Sequence, residues 1–177
     1  PAERNSGIDF KESLVGQNVD RVFVPSVQKG IQAAVAEGIL AGYHVTDVSI
    51  DFYDGKMHPV DSKDIAFQIA GKGAFKEAFK AANPCLLEPI MKLEIRIPEA
   101  YLGDVMGDIS SIRGRIQGVD VDGKYQVVKA LVPEMELYRY ATKLRSMTGG
   151  SGVHTEAFDH YEYAPTEVES KVVAASL

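Results

Sequence analysis

The sequence predicts an α+β protein built from two consecutive units. Apolar residues switch repeatedly between the period of a strand, two residues, and that of a helix, about 3.6. A two-proline segment, Asn83-Pro84-Cys85-Leu86-Leu87-Glu88-Pro89, interrupts the chain near its middle and reads as a short, stiff connection. Beyond it the signals run strand, helix, strand, strand, helix, strand.

Residues 8–15 read as the first strand, broken by Gly16-Gln17-Asn18. Val24-Pro25-Ser26 leads into a helix with Val27, Ile31, Ala34 and Val35 on one face, and Gly38 can close it in a left-handed conformation. Over residues 44–53, Val48, Ile50 and Phe52 alternate with Asp47, Ser49 and Asp51, giving a strand with one wet face. Asp54-Gly55 then reads as a reversal in which glycine tolerates positive φ. Asp61 or Ser62 can cap the helix predicted over 62–82, where Ile65, Ile69, Phe75 and Phe79 stand among small residues. Its Lys72, Lys76 and Lys80 make one basic stripe, read as a solvated face.

In the second half Met91, Leu93, Ile95 and Ile97 alternate with Lys92, Glu94 and Arg96 as a strand. Tyr101, Leu102, Val105, Met106 and Ile109 follow at helical spacing, and Gly114 ends that helix. Residues 115–121 and 124–132 flank Asp122-Gly123, a two-residue hairpin turn. A helix is predicted over 134–147, with Leu137, Tyr140, Ala141 and Leu144 on one face, then a strand over 153–163 and a loose terminal helix over 166–177. This β-α-β-β-α-β order is the ferredoxin-like plan, a four-stranded antiparallel sheet with both helices on one face. The first half, strand-helix-strand-helix, is expected to be an α+β unit without its opening part.

A composition of 45% hydrophobic and 25% charged residues is that of a soluble globular protein. No apolar run approaches the ~20 residues that span a bilayer and no charged-then-apolar signal segment opens the chain, so the expectation is a cytoplasmic protein without a membrane partner. It is also expected to be a monomer. The single Cys85 is expected to be a buried, inert thiol. Net charge is −6, with nine basic and twelve acidic residues before Pro89 and ten and thirteen after it. Neither half is a basic nucleic-acid domain, so any nucleic-acid contact has to come from local patches. The chain opens on Pro1, without a methionine, and is expected to be the interior of a longer protein.

Chemistry-bearing motifs are sparse. A nucleotide-hydrolysing loop needs G-x-x-x-x-G-K-[ST], because backbone amides cradle the phosphates while lysine and hydroxyl serve phosphate and magnesium. The nearest string, Ala70-Gly71-Lys72-Gly73-Ala74, lacks the spacing and the hydroxyl, so no GTP binding is expected of these residues. Thr148-Gly149-Gly150-Ser151-Gly152 reads as a helix-to-strand turn. His154, Glu156 and His160 would share a strand face, but the outer two lie roughly 20 Å apart at ~3.3 Å per residue, too far for one ion. His44 and Asp47 have no nucleophile near them in sequence, and Ser26, Ser62 and Ser110 sit in no nucleophile-elbow context. No catalytic residue, metal site or cofactor site is expected.

Six strings carry a resemblance: VPSVQKGI at 24–31, LAGYHVTDVSIDFYDGKMHPVDS at 40–62, AFKEAFKAANPCLLEPIMKLEI at 74–95, GDVMGDISSIRGRIQG at 103–118, YATKLRSMTGGSG at 140–152 and FDHYEYAP at 158–165. Together and in this order, covering nearly the whole chain, they resemble the C-terminal part of bacterial elongation factor G, the ribosomal translocase. The resemblance implies that residues 1–87 are a domain IV of the ribosomal protein S5 domain 2-like type, truncated at its N-terminus. It makes 88–165 the ferredoxin-like domain V and 166–177 a C-terminal tail. GTP and magnesium would belong to a domain upstream of these residues.

In the family, domain IV is an arm whose tip reaches the decoding centre beside tRNA and mRNA. The position matching the family's tip histidine is His58, so Lys56, Met57 and His58 are expected to form the reading end. Domain V of the family packs on the large subunit, which implies ribosomal RNA contacts for Arg113, Arg115, Lys143 and Arg145. The partners implied are both ribosomal subunits, ribosomal RNA, tRNA and mRNA.

Three departures stand out. Where family members carry two arginines before the glycine ending the first domain V helix, this chain has Ile112-Arg113. It has Gly150-Ser151-Gly152 where Gly-Arg-Gly is frequent, and Gly16-Gln17-Asn18-Val19-Asp20-Arg21-Val22-Phe23 where Gly-Gly-Val-Ile-Pro-Lys-Glu-Tyr is common. Fewer cations weaken phosphate contacts, which opens the alternative of a recycling or regulatory paralogue. A second alternative is a small-ligand-sensing ferredoxin-like protein, since fold does not determine function. A closed apolar pocket with converging polar groups would favour it, and an exposed arm would favour the ribosomal readings.

Overall fold

Ile8 and Phe10 alternate with polar neighbours and pair with a second alternating run to open the fold of this computed structural model, which describes residues 1–58 and 62–176. Strand β1 (Ile8–Glu12) lies parallel to β2 (Val48–Phe52), in register from Ile8 opposite Val48 to Glu12 opposite Phe52. Helix α1 (Val24–Glu37) connects them, with Pro25 in its first turn, where a missing N–H costs nothing, and Gly38 as its C-cap at φ +76°. Helix α2 (Asp64–Ala81) follows β2. Strand β2 begins four residues later than its periodicity predicts. Asp47 turns the chain with φ +58°, and its carboxylate accepts from Gly7 N at 3.2 Å and Thr46 Oγ1 at 3.2 Å.

The core of this unit gathers Val27, Ile31, Ala34 and Val35 of α1 with Phe67 and Phe75 of α2. Half-buried Ile8, Phe10, Ile50 and Phe52 pack against them from the strands. The helices approach through glycines. A Cβ on Gly30 would stand 2.0 Å from the Gln68 carbonyl oxygen, and one on Gly71 2.8 Å from that of Val27. Phe23 stacks on Phe67 with ring centroids 4.4 Å apart, and the Ser26 hydroxyl donates to Asp64 Oδ1 at 3.0 Å. The lysine stripe is partly engaged: Glu37, at the end of α1, holds both Lys72 and Lys76.

The expected cap of α2 is different in the structure. Lys63 occupies the cap position without a side-chain bond, and Ser62 is engaged elsewhere; Asp61 lies outside the described residues. Cys85 is exposed, which corrects the expectation of a buried thiol. An exposed small side chain is tolerated there because it lies in the connection between the elements, outside either apolar cluster.

The chain divides into two compact units, Pro1–Cys85 with Thr166–Leu177, and Leu86–Pro165. Helix α5 (Thr166–Ala175) is the C-terminal element of the first. The second contains β3 (Leu87–Pro98), α3 (Leu102–Ser111), β4 (Arg115–Asp122), β5 (Tyr125–Pro133), α4 (Tyr140–Met147) and β6 (Val153–Tyr163). Its strands form one antiparallel sheet in the order β4-β5-β3-β6, the ferredoxin-like plan that the element order predicts. Leu93, Ile95 and Ile97 of β3 and Val128, Ala130 and Val132 of β5 are completely buried under α3 and α4, against Val105, Ile109, Tyr140 and Leu144.

Three local departures have physical causes. Strand β3 starts at Leu87 and runs through Pro89, where a connection is predicted. There only β6 pairs with it, since the β5 ladder begins at Ile90 opposite Pro133, and such an edge stretch admits proline. The helix predicted over 134–147 is a 3-10 turn over Glu134–Leu137 followed by α4, broken at Arg139 with φ 57° and ψ 22°. Leu137 and Tyr140, on either side of the break, both lie in the core. After α3, Arg113 carries the left-handed residue at φ +59°; Gly114 is required for space, since its Cβ would meet Ile109 Cγ2 at 2.5 Å.

Candidate functional site

Residues 53–58 leave β2 and are tied down by residues 14–20, the segment that follows β1. Leu14 and Val19 are buried in the core cluster, so the intervening residues 15–18 stand out as a loop. Met57 N donates to the Asn18 carbonyl at 3.2 Å, and Asp20 N donates to Met57 Sδ at 3.1 Å. Asn18 Nδ2 donates to Asp54 Oδ1 at 3.4 Å, and the same oxygen accepts from Gly55 N at 2.8 Å. Gly55 does not take a positive φ. Its requirement is space: a Cβ there would lie 2.7 Å from Val19 Cγ2.

Lys56 and His58 point outward and are exposed. Met57 is half-buried against the first core cluster, so it anchors the loop and leaves its two neighbours to face outward. Ser62 closes the far side: His58 N donates to Ser62 Oγ at 2.9 Å, and Ser62 N donates to the His58 carbonyl at 3.3 Å. Tyr53, at the base, is 71% exposed and adds an aromatic face. An ammonium, an imidazole and an exposed phenol ring are groups that bind phosphate, hydrogen-bond base edges and stack on bases.

The cations expected to meet RNA in the second unit are in unequal states. Arg113 donates through both terminal nitrogens to the Glu88 carboxylate at 2.8 and 2.9 Å, and through Nε to Glu136 at 2.9 Å. These carboxylates, Glu88 foremost, push its pKa further up. Arg115 pairs with Glu162 from β6, and Lys143 pairs with Asp108 of α3. Arg145 is exposed on α4 and forms no ion pair among the described residues.

His154 and His160 take part in carboxylate pairs. His154 Nε2 lies 2.7 Å from Glu156 Oε1, with the ring edge-on to Tyr140. His160 sits between Asp159 at 2.6 Å and Glu162 at 2.7 Å. Glu162, and after it Asp159, raises the His160 pKa, while Arg115 and then His160 lower that of Glu162. Among the described residues no group of three metal-ligating side chains converges. A cavity of about 570 Å3 lies in the first unit, beside Ile50 and Phe52 and under Phe67, Ala70, Ala74 and Phe75. Its lining is chiefly apolar, and it also includes Asp51, Tyr53, Asp54 and Lys56 from the end of β2 and the segment after it. No described helix is long and apolar enough to cross a membrane.

Sequence reasoning singled out Lys56, Met57 and His58 but missed Asn18, Val19 and Asp20. The Gly16-Gln17-Asn18 break was visible; its contact with residues 54–57 links positions almost forty apart.

Comparison with known proteins gives two adjacent matches. The family described as "Elongation factor G, domain IV" matches residues 1–83, and "Elongation factor G C-terminus" matches residues 85–172. A solved crystal structure of a protein from Thermus thermophilus is similar at 37% sequence identity and a TM-score of 0.84, over 98% of this chain and 26% of that one. The chain thus spans about a quarter of the length of that protein.

Proposed function

The chain belongs to the elongation factor G family, and on that premise we propose that it is the ribosome-binding C-terminal module of a cytoplasmic translational GTPase. It promotes the movement of tRNA and mRNA during elongation. The observation that carries the reading is the outward-facing pair Lys56 and His58 on a loop fastened at its base by residues 18–20 and closed by Ser62. A fastened loop delivers its side chains at a defined place, with little ordering entropy left to lose on contact. The work is mechanical, through shape and placement, and GTP with magnesium is handled by another part of the longer factor. In the second unit, Arg145 offers its charge directly to ribosomal RNA, whereas Arg115 and Lys143 have to leave or share a carboxylate. Arg113 contributes by holding the end of α3 in place.

The test is His58→Ala in the longer factor, followed by stopped-flow signals that separate phosphate release from messenger movement. Messenger movement slows while phosphate release and initial ribosome binding stay near the unsubstituted rates. Equal loss of both steps, or of neither, overturns the reading. One observation favours the second reading, a recycling or regulatory paralogue: three of the four cations placed for RNA are neutralised within the unit. Subunit splitting that depends on His58 while messenger movement does not would decide for it.

A further inference from the structure

We propose that Asn18, Val19 and Asp20 are positioning residues of the tip, setting where Lys56 and His58 stand. The inference rests on the tip reading above and adds a segment to it. Among the described residues, four contacts join the two loops. Two are anchors of Met57, through the Asn18 carbonyl at 3.2 Å and the Asp20 N–H on Met57 Sδ at 3.1 Å. A third is the Asn18 amide on Asp54 at 3.4 Å. The fourth is steric: Val19, 3% exposed, fills the space that a side chain on Gly55 would need.

These contacts grip the chain on either side of Lys56. Asp54 and Gly55 precede it, and Met57 separates it from His58, so the chain is fixed immediately before and between the groups that face outward. Leu14 and Val19, both buried, fix the supporting segment to the core in turn. The chain of constraint runs from core to Val19, from Val19 to Gly55, and from there to Lys56 and His58.

The contact between Gly55 and Val19 supplies a test with its own rescue. Gly55→Ala puts a methyl 2.7 Å from Val19 Cγ2 and displaces the loop. Val19→Ala removes that methyl, so the double variant Gly55→Ala with Val19→Ala has room again. In the longer factor, Gly55→Ala slows messenger movement about tenfold with phosphate release unchanged, since misplacement on the order of 1 Å costs up to about a hundredfold in positioned reactions. The double variant recovers most of that loss. In the 177-residue chain, the Asp20 amide and Met57 methyl resonances shift in the single variant and return in the double one. If Gly55→Ala moves messenger at the normal rate while His58→Ala slows it, the positioning inference is overturned and the tip reading stands. Failure of the double variant to recover, with its resonances still displaced, also overturns the inference. If neither His58→Ala nor Gly55→Ala has an effect, both fall.

Discussion

Arg113 holds Glu88 through two parallel hydrogen bonds of 2.8 and 2.9 Å, from a backbone position in the left-handed region at φ +59°. The pair links the residue that follows α3 to the first residues of β3, and Glu136 extends it to the turn before α4. A residue with three charge-assisted bonds to its own unit is a structural clamp before it is a phosphate ligand.

Arg113→Ala should therefore lower the stability of the second unit. Glu88 is only 12% exposed and loses its partner, while the arginine itself is 30% exposed, so the cost lies between that of surface and buried pairs, roughly 1 to 3 kcal/mol. Arg113→Lys recovers only part, because an ammonium cannot reproduce the two-pronged geometry. Urea unfolding measures it. An unchanged midpoint in Arg113→Ala would show that the clamp is idle.

Stability should also depend on pH through His160 and its neighbours Glu162, Asp159 and Arg115. The folded His160 has a raised pKa, so its contribution is complete below the unfolded value of ~6.5 and is lost as pH rises through the folded value. The folded Glu162 has a lowered pKa, so its contribution is complete above the unfolded value of ~4.3 and is lost as pH falls through the folded one. Both are present between about pH 4.3 and 6.5. Thermal unfolding of the native chain and of His160→Gln, compared across about pH 5 to 8, should converge toward the alkaline end and diverge toward the acidic one. Parallel curves would mean that the His160 pairs contribute nothing.

Two glycines in α2 should respond in opposite ways to the same added methyl. Gly71→Ala drives a Cβ to 2.8 Å from the Val27 carbonyl oxygen and 3.1 Å from Val27 Cα, backbone that can yield only by separating the helices. A loss of roughly 1 to 3 kcal/mol follows. Gly73→Ala meets nothing within 4 Å and gains about 0.5 to 1 kcal/mol from the lower backbone entropy of the unfolded chain. Chemical unfolding of the two variants side by side checks the contrast; equal effects would mean that the α1–α2 crossing is loose enough to absorb a methyl.

The ferredoxin-like half was legible because its strands and helices are long and strictly periodic. Residues 91–97 alternate without a break, and the final strand falls on residues 153–163 as predicted. The hairpin was legible too, one residue out of place: Asp122 pairs with Tyr125, so the two-residue loop is Gly123-Lys124, with Gly123 at φ +61°. The prediction failed where side chains compete for one core. Nothing local tells that Arg139 leaves the helical region, and Leu137 and Tyr140 both enter the core across the break.

The same division runs through the candidate site. The resemblance to the family singled out Lys56, Met57 and His58, while local pattern alone gave only a surface turn at these consecutive residues. Which of the three face outward was decided by tertiary contact, through Asp20 on Met57 and Val19 under Gly55. The ion pairing of the cationic positions in the second unit was decided in the same way. A sequence counts Arg113, Arg115 and Lys143 as cations, but Glu88, Glu162 and Asp108 come to them only when the sheet and helices assemble. Periodicity is a property of neighbours along the chain, and so it can be read directly. Pairing and steric exclusion are properties of neighbours in space, and they exist only once the core has brought distant residues together.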